Sequence, residues 1–385
     1  MTFDPAAYLP DDLLERIRDR APVHDRENTF PQQDLDELRD AGYLSILVPT
    51  ERGGAGLGLE QAAILQQRLA TAAPATALAI NMHLVWTGVA KVFSDRGVPG
   101  LEFVQDGAVA GEVFAFGISE GGNDLVLFGS DTDASPLPDG GYAFTGTKIF
   151  TSLAPVWTKL GLHGLDTTAP DAPKLVFAFV ERTDAVVTGD DWDTLGMRAT
   201  QSRTTRLNGA VAPASQVVRR IDPGPNPDPI VFGIFSVFEI LLASVYTGTA
   251  RRALDLAVAT VQARRSKKTG TTYDQDPDIR WRIADMGLAY DALPPQIAAL
   301  ARDVDAGFDH GARWFTLLSG VKHRAVTMAK RVVDDAILTA GGGAYFSSNE
   351  LSRLYRDVLA GAFHPSDPES AHATAASAWL GPVQG

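Results

Sequence analysis

Two short segments gather small polar side chains beside turns that expose backbone. One reads Phe116-Gly117-Ile118-Ser119-Glu120-Gly121-Gly122-Asn123-Asp124, the other Gly146-Thr147-Lys148-Ile149-Phe150-Thr151-Ser152. Such residues bind and orient a ligand; they do not by themselves break bonds. The common catalytic templates are missing: there is no G-x-S-x-G elbow, no H-E-x-x-H, no Walker loop and no G-x-G-x-x-G opening a helix after a strand. The histidines, His24, His83, His163, His310, His323, His364 and His372, form no short metal-spacing pair, so no metal site is expected. With no cysteine, disulfides, Cys-ligated zinc, iron–sulfur clusters and thiol nucleophiles are excluded. His83, with Trp86 one helical turn on, is suited to line a cavity.

The periodicity of the chain says what must position these residues. From Asp11 to about Gly111 apolar residues recur at helical spacing, as in Leu13, Leu14 and Ile17. Gly42 is a helix stop, and the glycines between Gly53 and Gly58 demand a loop before helices over about 59–73 and from 75 through Trp86. From about Val113 to Pro213 the period becomes two. Lys174-Leu175-Val176-Phe177-Ala178-Phe179-Val180 is a strong strand, and Asp139-Gly140-Gly141 is a hairpin signal. After the prolines between Pro223 and Pro229 helical spacing returns, predicting four helices near 231–264, 277–306, 311–340 and 348–360. The expected class is α+β: an N-terminal α-helical domain over 1–112, a β-barrel or sandwich over 113–220, and a C-terminal four-helix bundle over 221–385.

The 385 residues are 45% hydrophobic and 21% charged, ordinary for a soluble globular protein. A net charge of −13 disfavours nucleic acid as a partner. No run is read as approaching the ~20 apolar residues of a membrane span. Met1-Thr2-Phe3-Asp4-Pro5 lacks the basic-then-apolar pattern of a signal peptide, so a cytoplasmic location is expected.

The two polar segments resemble the "T-E-P-x-x-G-S-D" and "G-x-K-x-W-I-T-N" motifs of the acyl-CoA dehydrogenase flavoprotein superfamily. Further segments are similar in the same order: 42–58, Leu195-Gly196-Met197-Arg198 with Gln201-Ser202, 248–255, and Ala340-Gly341-Gly342-Gly343 with Leu354-Tyr355-Arg356-Asp357. The resemblance covers most of the chain and implies a flavin, FAD with FMN as the alternative. Its isoalloxazine ring would lie between the β unit and the last helices. Phe116, Ile118 and Ser119 would line one edge, Phe150 would take the family's tryptophan position, and Ser152 the threonine position beside flavin N5. Gly122 and Asn123 would lie near the pyrophosphate or substrate arm. Arg264 and the turn Gly341-Gly342 would approach a diphosphate of a neighbouring subunit, which implies a dimer or a tetramer of paired dimers.

The resemblance also fails at informative places. Its catalytic glutamate falls on Pro365, eight residues after Asp357, where no side chain can take a proton. The other family position for that base is Phe238, with Glu239 one residue later, ~100° round a helix. Pro277 and Leu338 stand where family glutamines contact the cofactor. The leading expectation is a flavin-dependent oxidoreductase that oxidises an acyl thioester or related small molecule, with Glu239 as base and an electron-transfer flavoprotein as partner. Its alternative is a reduced-flavin-dependent monooxygenase served by a separate flavin reductase, in which His364 assists. A third reading is a flavin-binding homologue without catalysis.

Overall fold

The computed structural model describes residues 3–381 and residue 383. Five helices come first: α1 (Asp11–Glu27), α2 (Gln32–Asp40), α3 (Leu59–Ala72), α4 (Pro74–Asp95) and α5 (Glu102–Val109). Gly42 ends the α2 turn at φ 73°, as its place in the sequence implied. Gly54 admits no side chain, because a Cβ there would lie 2.3 Å from the Val48 carbonyl oxygen.

Eight strands follow: β1 (Phe114–Gly117), β2 (Asp133–Pro136), β3 (Tyr142–Thr151), β4 (Lys159–Asp166), β5 (Lys174–Glu181), β6 (Val186–Thr188), β7 (Arg203–Ala212) and β8 (Val217–Ile221). They form one mixed sheet in the order β6-β7-β3-β2-β4-β5-β8, with β1 parallel to β4. The hairpin read at Asp139-Gly140-Gly141 joins antiparallel β2 and β3, and Gly140 supplies φ 88°. The sheet curls so that β5 approaches β7, giving a barrel-like unit from a single sheet. Its β3–β7 ladder slips between Lys148 and Thr151, so Ile149 and Phe150 leave the register before Thr151 pairs again with Arg203.

The C-terminal part holds α6 (Pro229–Ala263), α7 (Pro277–Asp291), α8 (Leu293–Asp305), α9 (Arg313–Ala340), α10 (Glu350–Leu359) and α11 (Pro368–Leu380). The single helix expected over 277–306 is therefore two. The chain breaks at Ala292, before Pro294 and Pro295, where proline lacks the N–H that would continue the helix. Helix α6 corrects the reading of apolar runs. An 18-residue window of it has mean hydropathy 2.0, enough by composition to cross a membrane, yet 89% of that window is buried inside the protein. It packs against α3, α4 and α9 as the central core helix, so its apolar surface is already covered.

Candidate functional site

The two polar segments meet. The Ile149 N–H donates to the Ser119 carbonyl at 2.9 Å. Beneath them lies a buried ion pair: Lys148 Nζ donates to Glu120 Oε1 at 2.7 Å and to the His163 carbonyl at 2.7 Å. Burial alone would raise the Glu120 carboxyl. The Lys148 charge and hydrogen bonds from Lys148, Thr132 and the Asp131 amide outweigh it and hold the group well below the usual carboxylate range. Burial pushes Lys148 down to about 8, against the pull of Glu120. The motif's Glu and Lys thus fasten the two segments together from below.

Backbone strain concentrates above this pair. Seven non-glycine residues among those described have positive φ, and four lie in two adjoining turns: Phe150 (56°), Leu153 (64°), Met197 (52°) and Gln201 (45°). Left-handed backbone costs a bulky residue of order 1 kcal/mol or more, so something must over-determine it. Asp357 of α10 accepts from the Met197 N–H at 2.6 Å. Gln201 Nε2 donates to the Asn28 carbonyl at 2.8 Å, and the Leu153 N–H to the Thr200 carbonyl at 3.2 Å. Burial, set against the charge of Arg353, moves Asp357 up to about 6. The strain leaves Phe150 54% exposed, its ring edge-on to Trp192 at 6.2 Å. Beside it Ser152 begins a buried chain of hydroxyls: Ser152 Oγ to Ser202 Oγ at 2.7 Å, Ser202 Oγ to Thr200 Oγ1 at 2.7 Å, and Thr200 Oγ1 to the Met197 carbonyl at 2.8 Å.

Other sequence candidates fall into three groups. Ser119 is half-buried at the segment junction, and Ile118 is buried beneath it. At Gly122 (φ 82°) and at Gly342 an added Cβ would meet nothing within 4 Å, so both backbones are open to a ligand. Arg264 and Gly341 meet within the chain: the guanidinium donates to the Ala340 carbonyl, lies 4.8 Å from the Tyr273 ring centroid, and would touch a Cβ at Gly341 at 3.0 Å.

A second group is structural. His83 and Trp86, expected to line a cavity, are buried with every polar atom bonded to backbone. His83 Nδ1 accepts from the Phe114 N–H at 3.1 Å, so its Nε2 carries the hydrogen donated to the Leu44 carbonyl at 2.8 Å. Burial drives its pKa down to about 4, and the ring stays neutral. Trp86 Nε1 donates to the Ala115 carbonyl at 2.9 Å, and its ring packs on Phe116 and Phe179. Phe116 itself stacks on Phe238 of α6 at 5.5 Å, so it is core wall more than open edge. The Asn123 amide closes its own loop onto Glu120 at 2.6 Å and the Gly129 carbonyl at 3.2 Å, which leaves it no donor for a pyrophosphate.

The third group surrounds the loop after α10. His364 Nε2 pairs with the Tyr246 hydroxyl at 2.8 Å. Burial, then the Lys322 charge, lowers His364 to about 3, so it is neutral near pH 7. Glu239 is 1% exposed and accepts from the Ser366 hydroxyl, with its other carboxyl oxygen unpartnered. Burial raises it to about 8 despite Ser366 and Lys322. Lys322 was missed by sequence reasoning. It donates to the carbonyls of Gly361 at 3.1 Å, His364 at 3.0 Å and Ser366 at 3.0 Å. Its signal was a lysine on the apolar stripe Leu318, Val321, Ala325 and Ala329 of α9. Lys322 and Ser366 also line a cleft of about 1110 Å³ between α7, α9 and α10, bordered by Leu338 and Tyr345. No residue of 116–123 or 150–152 borders it. No group of three or more metal-ligating side chains occurs among the described residues.

Comparison with known families places this arrangement. The family "Acyl-CoA dehydrogenase, N-terminal domain" matches residues 13–94, and "Acyl-CoA dehydrogenase, C-terminal domain" matches residues 240–366. The chain belongs to the acyl-CoA dehydrogenase superfamily. Within it, the chain is 28% identical to L-evernosamine nitrososynthase of a Micromonospora species, over 91% of this chain and 84% of that protein. It is 26% identical to dibenzothiophene monooxygenase of Rhodococcus qingshengii, over 95% of this chain and 90% of that protein. Among solved structures it superimposes, with TM-score 0.87 and 27% identity, on KijD3 in complex with FMN and dTDP-3-amino-2,3,6-trideoxy-4-keto-3-methyl-D-glucose, covering 100% of this chain and 96% of that one. The superfamily fold accounts for the convergence of β3, the 197–202 turn and α10.

Proposed function

We propose that this chain is the oxygenase component of a two-component flavin-dependent monooxygenase, taking reduced flavin from a separate reductase and oxygenating a small molecule at an amine nitrogen. The observation that carries this reading is the missing base. Proton abstraction beside a thioester needs an accessible carboxylate. The family position is Pro365, and Glu239 is enclosed, held by Ser366, and protonated near pH 7 by its burial. The relatives supply the chemical class: the similar nitrososynthase and the amino-sugar nucleotide held by KijD3 favour an amine.

The chain's residues fit a flavin. Phe150 offers an exposed aromatic wall, Ser119 and Ser152 offer hydroxyls, and Gly122 and Gly342 offer unobstructed backbone. Arg264 beside the Gly341 turn suits an anionic end. FMN is favoured over FAD, because Pro277 and Leu338 carry no donor for an adenosine half and Arg264 is partly spent on the Ala340 carbonyl. When bound, reduced flavin supplies two electrons and the place where dioxygen reacts. One oxygen atom enters the substrate N–H bond and the other leaves as water. His364, bonded through Nε2 to Tyr246 and lowered to about 3 by burial, stays neutral near pH 7 and would serve as a hydrogen-bonding group and not as the base. The exposed apolar side chains Leu338, Tyr345, Phe346 and Trp379 favour an assembly of at least two copies.

The test combines the purified chain with FMN, a generic NADH-driven flavin reductase and isotopically heavy oxygen gas. Amine-bearing sugar nucleotides should gain heavy oxygen on nitrogen. Anaerobic bleaching of bound flavin by an acyl-CoA thioester would refute the proposal. Oxygen found on sulfur of an aromatic thioether instead would move the substrate class.

A further inference from the structure

The hydroxyl chain that starts at Ser152 has only one consistent direction. Three hydrogen bonds join Ser152, Ser202, Thr200 and the Met197 carbonyl, and three hydroxyl hydrogens are available to make them. A carbonyl oxygen can only accept, so Thr200 spends its hydrogen on Met197. Ser202 must then donate to Thr200, and Ser152 to Ser202. All three oxygens are buried, with Ser152 at 5% exposure, so leaving one bond unmade carries a desolvation cost. The Ser152 oxygen is left with lone pairs alone to offer a ligand.

We infer that Ser152 acts as an acceptor-only gate that selects the reduced form of the flavin. The inference rests on the proposed flavin seat, in which the family resemblance puts Ser152 at the N5 edge of the ring. Reduced flavin carries N5–H, a donor that matches the Ser152 lone pairs. Oxidised flavin has a bare N5, also an acceptor, and meets them unfavourably. Rotating the Ser152 hydroxyl to serve oxidised N5 would cost the bond to Ser202. The strained turn at Met197 and Gln201, pinned by Asp357 and Asn28, holds the end of the chain in place, so the direction is built into the fold. Such a gate suits an enzyme that must capture reduced flavin from solution and release the oxidised product.

Two variants test it under anaerobic conditions, by titrating the full chain separately with oxidised and dithionite-reduced FMN. Ser152→Ala removes the acceptor. The preference for reduced over oxidised FMN should fall about tenfold, equal to a downward shift of about 30 mV in the two-electron midpoint potential. Thr200→Val does not touch the flavin. It removes the acceptor for Ser202, whose hydrogen can then turn to Ser152 and free the Ser152 hydrogen for oxidised N5. The Met197 carbonyl keeps the Thr200 N–H at 3.1 Å, so the turn stays closed. Thr200→Val should therefore move the preference the same way, which a merely structural Ser152 would not. An unchanged preference in both variants, with FMN still bound, overturns the gate and leaves the flavin reading standing. No binding of FMN in either redox state by the wild-type chain overturns both.

Discussion

Replacing Lys322 with methionine tests how the loop carrying His364 and Ser366 is held. The side chain is buried, and its Nζ meets three carbonyls at 3.0–3.1 Å, those of Gly361, His364 and Ser366. Three acceptors require three hydrogens, so the group works as an ammonium, although burial lowers its pKa to about 8. Hydrogen bonds to a charged group contribute about 1.5–3 kcal/mol each, and desolvating the ammonium costs several kcal/mol in return. Methionine keeps most of the volume, removes that desolvation cost and leaves the carbonyls unpaired. A net loss of about 3 kcal/mol for the closed loop follows, which is roughly a hundredfold in its opening equilibrium. Amide hydrogen exchange reads this directly. Protection over 361–366 should fall about a hundredfold while β4 and β5 keep theirs. Exchange in 361–366 within about threefold of the wild type would refute the claim that this ammonium organises the loop.

Glu239→Gln should flatten part of the pH dependence of stability. Its folded pKa, near 8, lies above the unfolded value near 4.5, so the wild type loses stability as pH rises from about 4.5 through 8. The glutamine variant keeps an acceptor for Ser366 and should equal or exceed the wild type in denaturant midpoint above pH 8. His83→Leu should destabilise the chain by about 2 kcal/mol by stranding the Phe114 N–H and Leu44 carbonyl, and leave the affinity for FMN within about twofold. Phe150→Gly relieves a left-handed backbone at little cost in buried area, so the melting temperature should hold or rise while affinity for FMN falls about tenfold.

The periodicity of the chain revealed its helix–strand–helix order, because apolar spacing and turn glycines act locally. Gly42, the Asp139-Gly140-Gly141 hairpin and the onset of α3 all stand where that spacing put them. The break at Ala292 is legible in Pro294 and Pro295, whereas the burial of the apolar run of α6 depends on the helices packed around it. For the site, the structure brings Arg264 beside Gly341 and Ser152 beside Ser202, and it buries His83 and Trp86 in the core instead of at a cavity. Helical spacing brings His83 and Trp86 to one face. Only the packing of α4 on β1 sends that face into the core, where backbone groups take up their polar atoms.

One feature of the proposal needs no fold: the resemblance puts the family's base at Pro365, and proline has no side chain that can take a proton. The tertiary structure alone decided where hydrogens point and which groups ionise. Ser152 and Ser202 are 50 residues apart, and Met197 and Asp357 are 160 apart. Hydrogen-bond direction and desolvation depend on what the chain places within a few ångströms, and no local pattern carries that information.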